Sequence, residues 1–154
     1  MKNFTIIGAG VNNLKEASHL FNEYRIFYDQ KSNIKECHNF LLERLNNNQS
    51  LIYLGTIDDK AVAFMQLYQG FSSIGLEKYF ILNDLYVDKN YRGNNIGKMM
   101  VKKALEISIQ SNISKIILQT AKDNKIAQNL YRSLGFIEDQ EFLSFYNNTI
   151  SNPK

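Results

Sequence analysis

"ILNDLYVDKNYRGNNIGKMM", Ile81 to Met100, decides how this chain folds. Its first half is a strand pattern that ends at Asp88, and its second half opens an apolar, helix-forming run. Between them lie a basic residue, two glycines and two asparagines, Arg92 to Gly97. A strand, a loop with little side chain and a helix start together suit an anion. The first N–H groups of a helix have no internal partner, and the helix dipole is positive there. Gly93 and Gly97 remove Cβ atoms, so a ligand can approach the backbone. Arg92 and Lys98 add charge.

Outward from that stretch, Lys78 to Asp88 reads as a long strand. Ile96 to about Gln110 reads as a helix, with Val101, Ala104, Leu105 and Ser108 at helical spacing. Upstream, Phe4 to Ile7 is a short strand, and Asn12 or Asn13 in "GAGVNN" suits a helix N-cap. The helix from Asn13 to about Asp29 carries one apolar stripe through Leu14, Ala17, Leu20, Phe21, Tyr24 and Tyr28. A second runs from about Asn33 to Asn46, with Ile34, Cys37, Phe40, Leu41 and Leu45 inward. Leu51 to Ile57 and Ala61 to Gly70 are strands joined by a tight turn. Downstream, "SKIILQTA" is a buried strand, Asn124 to Leu134 a short helix, and "GFIEDQEFLSFY" a final pair of strands. The predicted order is β-α-α-β-β-β-α-β-α-β-β. A three-strand meander in the middle makes this a mixed α/β sheet rather than a doubly wound one. One domain is expected over residues 1–154.

Composition narrows the function. The chain is 44% hydrophobic and 21% charged, ordinary for a globular protein. A net charge of +3 without a basic block argues against a nucleic-acid partner. The lone cysteine, Cys37, excludes an internal disulfide and fits a reducing compartment. The N-terminus has no long apolar core or small-residue cleavage site, and no run is long enough to span a membrane. A cytoplasmic location with no membrane partner is expected. His19, His38 and Cys37 do not have metal-ligand spacing, so no metal is expected.

Three phosphate loops compete for "RGNNIGK". A P-loop needs four residues between its glycines and a hydroxyl after the lysine; here there are three, and Met99 follows Lys98. A dinucleotide fingerprint would have to lie in "GAGVNN", but Asn13 occupies the third glycine's place, where helix and strand must pack tightly. The third is a coenzyme A pyrophosphate loop, and here the sequence resembles the GNAT acetyltransferase superfamily. The family's [RQ]-x-x-G-x-[GA] pattern is met by Arg92, Gly93, Asn94, Asn95, Ile96 and Gly97, with Asn95 in place of the usual middle glycine. Asn is the non-glycine residue that best tolerates left-handed backbone angles. The family's second pattern, N-x-x-A-x-x-L/F-Y-x-x-x-G-F, fits Asn124, Ala127, Leu130, Tyr131, Gly135 and Phe136.

The resemblance implies acetyl-CoA as co-substrate and acetyl transfer to a primary amine. It implies that the long strand is bulged, that Leu85, Tyr86 and Val87 pair with the pantetheine arm, and that a backbone N–H among them holds the oxyanion. Arg92 to Lys98 would take the pyrophosphate, Asn124 the pantetheine, and Tyr131 would protonate the leaving thiolate. An amine must lose a proton before attack, and Asp84, Glu23 and Tyr28 are the candidates for the base. Strand alternation puts Asp84 on the side of Tyr86, opposite Asn83 and Leu85. "LFNEYRIFYDQ" is similar to the Hpa2-like and diamine acetyltransferase branch, where the first helices border the acceptor. Glu23 and Asp29 would attract a cationic amine, and Tyr24, Phe27 and Tyr28 would wall it. That branch carries Glu-Asp where this chain has Asn83-Asp84. A small amine such as a polyamine or amino-acid derivative is the expected acceptor, attacked directly in a ternary complex. The alternatives are a protein lysine or N-terminal acceptor, and a CoA-binding domain without turnover. Many members of the family it resembles dimerise, often through the C-terminal strands, and "EFLSFYNNTI" has the alternation for a homodimer of that kind.

Overall fold

The computed structural model describes residues 3–149. In chain order the elements are β1 (Phe4–Gly8), α1 (Leu14–Phe27), α2 (Ile34–Asn46), β2 (Ser50–Ile57), β3 (Lys60–Ser72), β4 (Glu77–Val87), α3 (Ile96–Gln110), β5 (Ile116–Ile117) and α4 (Lys125–Ser133). Among the described residues the strands form one sheet in sequence order, β1 to β5. The first four pair antiparallel and β5 pairs parallel to β4, a mixed sheet as the meander implied.

Each face of the sheet has its own core. Met65, Leu67, Phe80 and Leu82 pack with Ile96, Met100, Val101 and Ala104 of α3 on one side. Phe64, Ile52 and Leu54 pack with Leu14, Ala17, Leu20, Phe21, Cys37 and Leu41 of α1 and α2 on the other. The apolar stripes read from sequence supply most of these contacts, because side chains at i, i+3 and i+4 share a helix face. Ile34, Phe40 and Tyr28 are the exceptions, each 39–41% exposed at an end or flank of its helix.

The β3–β4 pairing carries a bulge. Leu67 pairs with Leu82 and the adjacent Gln66 with Asp84, so Asn83 has no opposite residue. An extra residue reverses the side-chain alternation beyond it. Leu82 lies on the α3 side, and three residues later Leu85 lies there too. Tyr86 falls with α1 and α2.

Two expectations fail at the C-terminal end. The strand expected over "SKIILQTA" shrinks to Ile116 and Ile117, paired with Phe80 and Ile81. The bulge bends β4 away just beyond, at Asn83. The final pair of strands is not formed: from Leu134 to Thr149 the described chain has no strand. A two-residue β5 offers too short an edge to template a ladder. Asp139 also turns the chain by accepting from the N–H groups of Glu141 and Phe142 at 2.8 and 3.1 Å. Ile150, the last residue of the stretch expected to dimerise, lies outside the described residues.

Candidate active site

β4 opens the site. Its pairing with β5 ends at Ile81, so from Leu82 to Val87 one edge of β4 has no neighbouring strand. That edge is available for pairing with an amide-bearing ligand, in the manner of an added strand. Leu85, Tyr86 and Val87 all lie in this segment.

The loop after β4 is shaped by two left-handed residues. Gly93 has φ 81° and Asn95 φ 59°. Asn95 is the residue before α3, and its side chain makes no capping hydrogen bond. Its carbonyl accepts from Met99 N at 3.0 Å, the first bond of the helix. No acidic residue stands in the first turn. The N–H groups of Ile96, Gly97 and Lys98 therefore meet no side-chain acceptor, in the positive end of the dipole. Ile96 is buried beneath and anchors the turn. Asn94 Nδ2 braces the loop from within, donating to the carbonyls of Tyr91 and Arg92 at 3.1 and 3.3 Å. A Cβ on Gly97 would meet only Leu130 Cδ2 at 3.5 Å and Val87 Cγ2 at 3.9 Å, ordinary contact distances. Nothing in the protein itself requires a glycine there. Arg92 Nε donates to the Val87 carbonyl at 2.9 Å, and the guanidinium lies 5.5 Å from the Phe27 ring and 5.4 Å from that of Tyr86. The loop residues suit a diphosphate: free helix N–H groups, glycine access and Arg92 and Lys98 beside them.

Asp84 stands at the bulge, only 4% exposed. Oδ2 accepts from Gln66 Nε2 at 2.7 Å and Oδ1 from Asn83 Nδ2 at 3.2 Å. Gln66 is fully buried, and its Oε1 accepts from Ser50 Oγ at 2.8 Å. No lysine, arginine or histidine among the described residues pairs with Asp84. Burial therefore dominates and raises its pKa above the ordinary carboxylate value, against the hydrogen bonds from Gln66, Asn83 and Tyr24. Tyr24, on α1, reaches the Asn83 carbonyl at 3.4 Å. Burial first, and then the Asp84 charge, push the Tyr24 phenol far up. Tyr28 stacks edge-on against Tyr24 at 5.1 Å and is raised by the same two causes. Tyr68 on β3, also near Asp84, is pushed up to about 12 by burial first.

Tyr131 lies on α4, half-buried against the α3-side core, with its ring 5.8 Å from Phe136. Its hydroxyl has no hydrogen-bond partner among the described residues. Burial, and to a smaller degree Tyr28, push its pKa up to about 12, so the phenol stays protonated at neutral pH. Its field also acts, as the smallest cause, on Tyr24 of α1. Asn124 caps α4 by accepting from Ala127 N at 3.1 Å.

The residues expected at the acceptor divide. Tyr24 and Tyr28 join Asp84, while Glu23 is exposed and bears on Tyr86 instead. Cys37 is buried beside Asn22, whose Oδ1 is 3.8 Å from the thiol. Sequence reasoning missed Gln66 and Ser50. The available signal was a lone amide inside the apolar run "AVAFMQLY". A buried polar group needs a partner, so such a residue points to a buried polar neighbour.

The profile of the acetyltransferase (GNAT) family matches residues 14–136. An uncharacterised N-acetyltransferase, YhfO, of Bacillus subtilis (strain 168) is 35% identical over 126 residues, 82% of this chain and 85% of its own. A crystal structure of a probable acetyltransferase superposes with a TM-score of 0.88 at 34% identity, over 97% of this chain and 99% of that one. A more local match, 39% identical over 67 residues, is to mouse (Mus musculus) thialysine N-epsilon-acetyltransferase, covering 42% of this chain and 39% of that protein. With the mixed sheet opening at β4 and the left-handed turn at Asn95, these matches place the chain in the GNAT family, as an N-acetyltransferase.

Proposed function

We propose that this enzyme transfers the acetyl group of acetyl-CoA to a small primary amine by direct attack, with Asp84 as base and Tyr131 as acid. The observation that carries the reading is Asp84: a buried carboxylate with no counter-ion among the described residues, within the open segment of β4. An alkylamine of pKa about 10.4 is almost wholly protonated at pH 7. Asp84 accepts its proton, and the raised pKa makes it a better acceptor than an ordinary aspartate. The freed nitrogen lone pair forms the N–C bond at the thioester carbonyl. Backbone N–H groups of Leu85 to Val87 hold the oxyanion, and the C–S bond breaks. Tyr131 hydrogen-bonds the departing sulfur and supplies its proton. A phenol near 12 lies above a thiol of about 8.5, so the transfer accompanies bond breaking rather than preceding it. The acylated nitrogen gives up its second proton, which restores the Tyr131 phenol, and Asp84 releases the first to solvent, so the products are the acetamide, CoA thiol and one proton.

Arg92 to Lys98 take the pyrophosphate, and Asn124 and Leu85 to Val87 the pantetheine arm. Tyr24 and Tyr28 wall the acceptor, with Glu23 at the rim. Thialysine, the amine named for one relative, has the expected chemistry of a small cationic amine. An acetyl-cysteine route finds no support, because Cys37 lies in the α1–α2 core. A metal has no role in this scheme. The buried thiol suits the cytoplasm, and no described helix is long and apolar enough to cross a membrane. A single domain spans residues 1–154. A homodimer would cover Phe142, Leu143, Phe145 and Tyr146, which are 72–90% exposed in the lone chain.

Thiol release from acetyl-CoA across polyamines, amino acids, aminoglycosides and lysine peptides tests the reading. Turnover with one small-amine class supports it. Turnover with peptides alone moves the acceptor to proteins, and none with any amine, despite CoA binding, favours a binding module.

A further inference from the structure

We propose that Gln66 is a positioning residue for the acetyl transfer, its amide held by Ser50 so that its N–H fixes the orientation and charge state of the Asp84 carboxylate. This rests on the reading of Asp84 as the base.

The three side chains form a continuous chain across the α1–α2 face of the sheet. Ser50 Oγ donates to Gln66 Oε1 at 2.8 Å, and Gln66 Nε2 donates to Asp84 Oδ2 at 2.7 Å. They are 9%, 0% and 4% exposed, beside the apolar core of that face. Direction matters here. An amide has a donor end and an acceptor end, and turning it over would set Oε1 against a carboxylate oxygen. The ionised carboxylate only accepts, which sets the amide this way round, and the Ser50 hydroxyl satisfies Oε1 by donating to it. The register places Gln66 there: it pairs with Asp84, while Leu67 pairs with Leu82 across the bulge. Were the pairing regular, Asn83 would stand opposite Gln66 and the carboxylate would fall on the α3 face, away from the amide.

What faces Asp84 leaves Gln66 this task. From α1 come the phenols of Tyr24 and Tyr28, from β3 that of Tyr68, and from β4 itself the Asn83 amide. Arg44 of α2 acts on Tyr68, and no cation among the described residues forms an ion pair with the carboxylate. A base that must hold its charge in a dry site without a counter-ion depends on its neutral donors. Gln66 is the shortest of these. Oδ1 is held by the longer 3.2 Å bond from Asn83, and so is freer than Oδ2 to receive a proton.

The experiment is the pH profile of kcat/KM for the wild type, Gln66→Met, Gln66→Glu, Ser50→Ala and Asp84→Asn, each checked for folding by circular dichroism. Loss of the donor in Gln66→Met moves the acid limb to higher pH by about one unit. Gln66→Glu moves it further, because two adjacent carboxyls share a proton. Ser50→Ala, which leaves the buried Oε1 without its donor and the amide less firmly held, moves it the same way by less. A uniform loss in Gln66→Met and Ser50→Ala at every pH, with the limb in place, means that Gln66 only fills space and overturns the inference alone. Should Asp84→Asn keep the wild-type limb, the base is elsewhere and both readings fall.

Discussion

The Tyr24 hydroxyl lies 3.4 Å from the Asn83 carbonyl, so α1 touches β4 at the one residue that has no partner on β3. The acceptor wall and the bulge are thereby one unit. Tyr24→Phe keeps the ring stack with Phe21 and Tyr28 but removes the hydroxyl. The expected result is a several-fold higher KM for the amine, a smaller change in kcat, and a stability loss of about 1 kcal/mol. Steady-state kinetics and urea unfolding check both.

Asn95 holds φ 59° where the family pattern has glycine. Asn95→Gly relaxes that backbone and should leave acetyl-CoA affinity unchanged or improved. Asn95→Val should destabilise the fold by about 1–2 kcal/mol, since a β-branched residue resists the left-handed region. Thermal melts with and without CoA separate these outcomes.

Gly97 separates fold from ligand. Its surroundings accept a methyl group, so Gly97→Ala should melt at or above the wild-type temperature, alanine being the better helix former. A methyl beside the N–H groups proposed to take the pyrophosphate should nevertheless raise the CoA Kd about tenfold. Calorimetric titration against CoA reads this directly, and an unchanged Kd would place the pyrophosphate elsewhere.

Asp84 should cost stability at neutral pH. Its pKa is raised on folding, so its contribution is most favourable below the unfolded value of about 3.9 and is lost as pH rises through the folded value. Asp84→Asn should therefore be more stable than the wild type at pH 7, with the gap closing toward pH 4. Activity should run the other way, with kcat down by roughly 10²-fold or more. Urea unfolding from pH 4 to 8 gives the stability arm.

Much of this was legible in the sequence because it was periodic or short-range. The α1 and α3 stripes, the central meander and the loop from Arg92 to Lys98 are patterns within a few residues of each other. Asn95 could be read as left-handed from its residue type alone. Gln66 and Ser50 could not be assigned, since their meaning lies in pairing across strands: Gln66 meets Asp84 through a register that only the bulge sets. The C-terminal strands failed for a related reason. Alternation in "EFLSFY" marks a segment able to pair, but pairing needs an edge, and β5 is two residues long.

The central claim is tested most directly by amine-dependent thiol release from acetyl-CoA, with Tyr131→Phe measured beside the wild type. The Tyr131 hydroxyl makes no hydrogen bond among the described residues, so removing it should leave the fold intact. The account predicts release with a small primary amine, and a kcat lowered by about 10²-fold or more in the variant, with CoA affinity nearly unchanged. Equal turnover in the two proteins would remove Tyr131 from the chemistry. A wild type that does not bind CoA at all would contradict the account of the loop from Arg92 to Lys98, and with it the site.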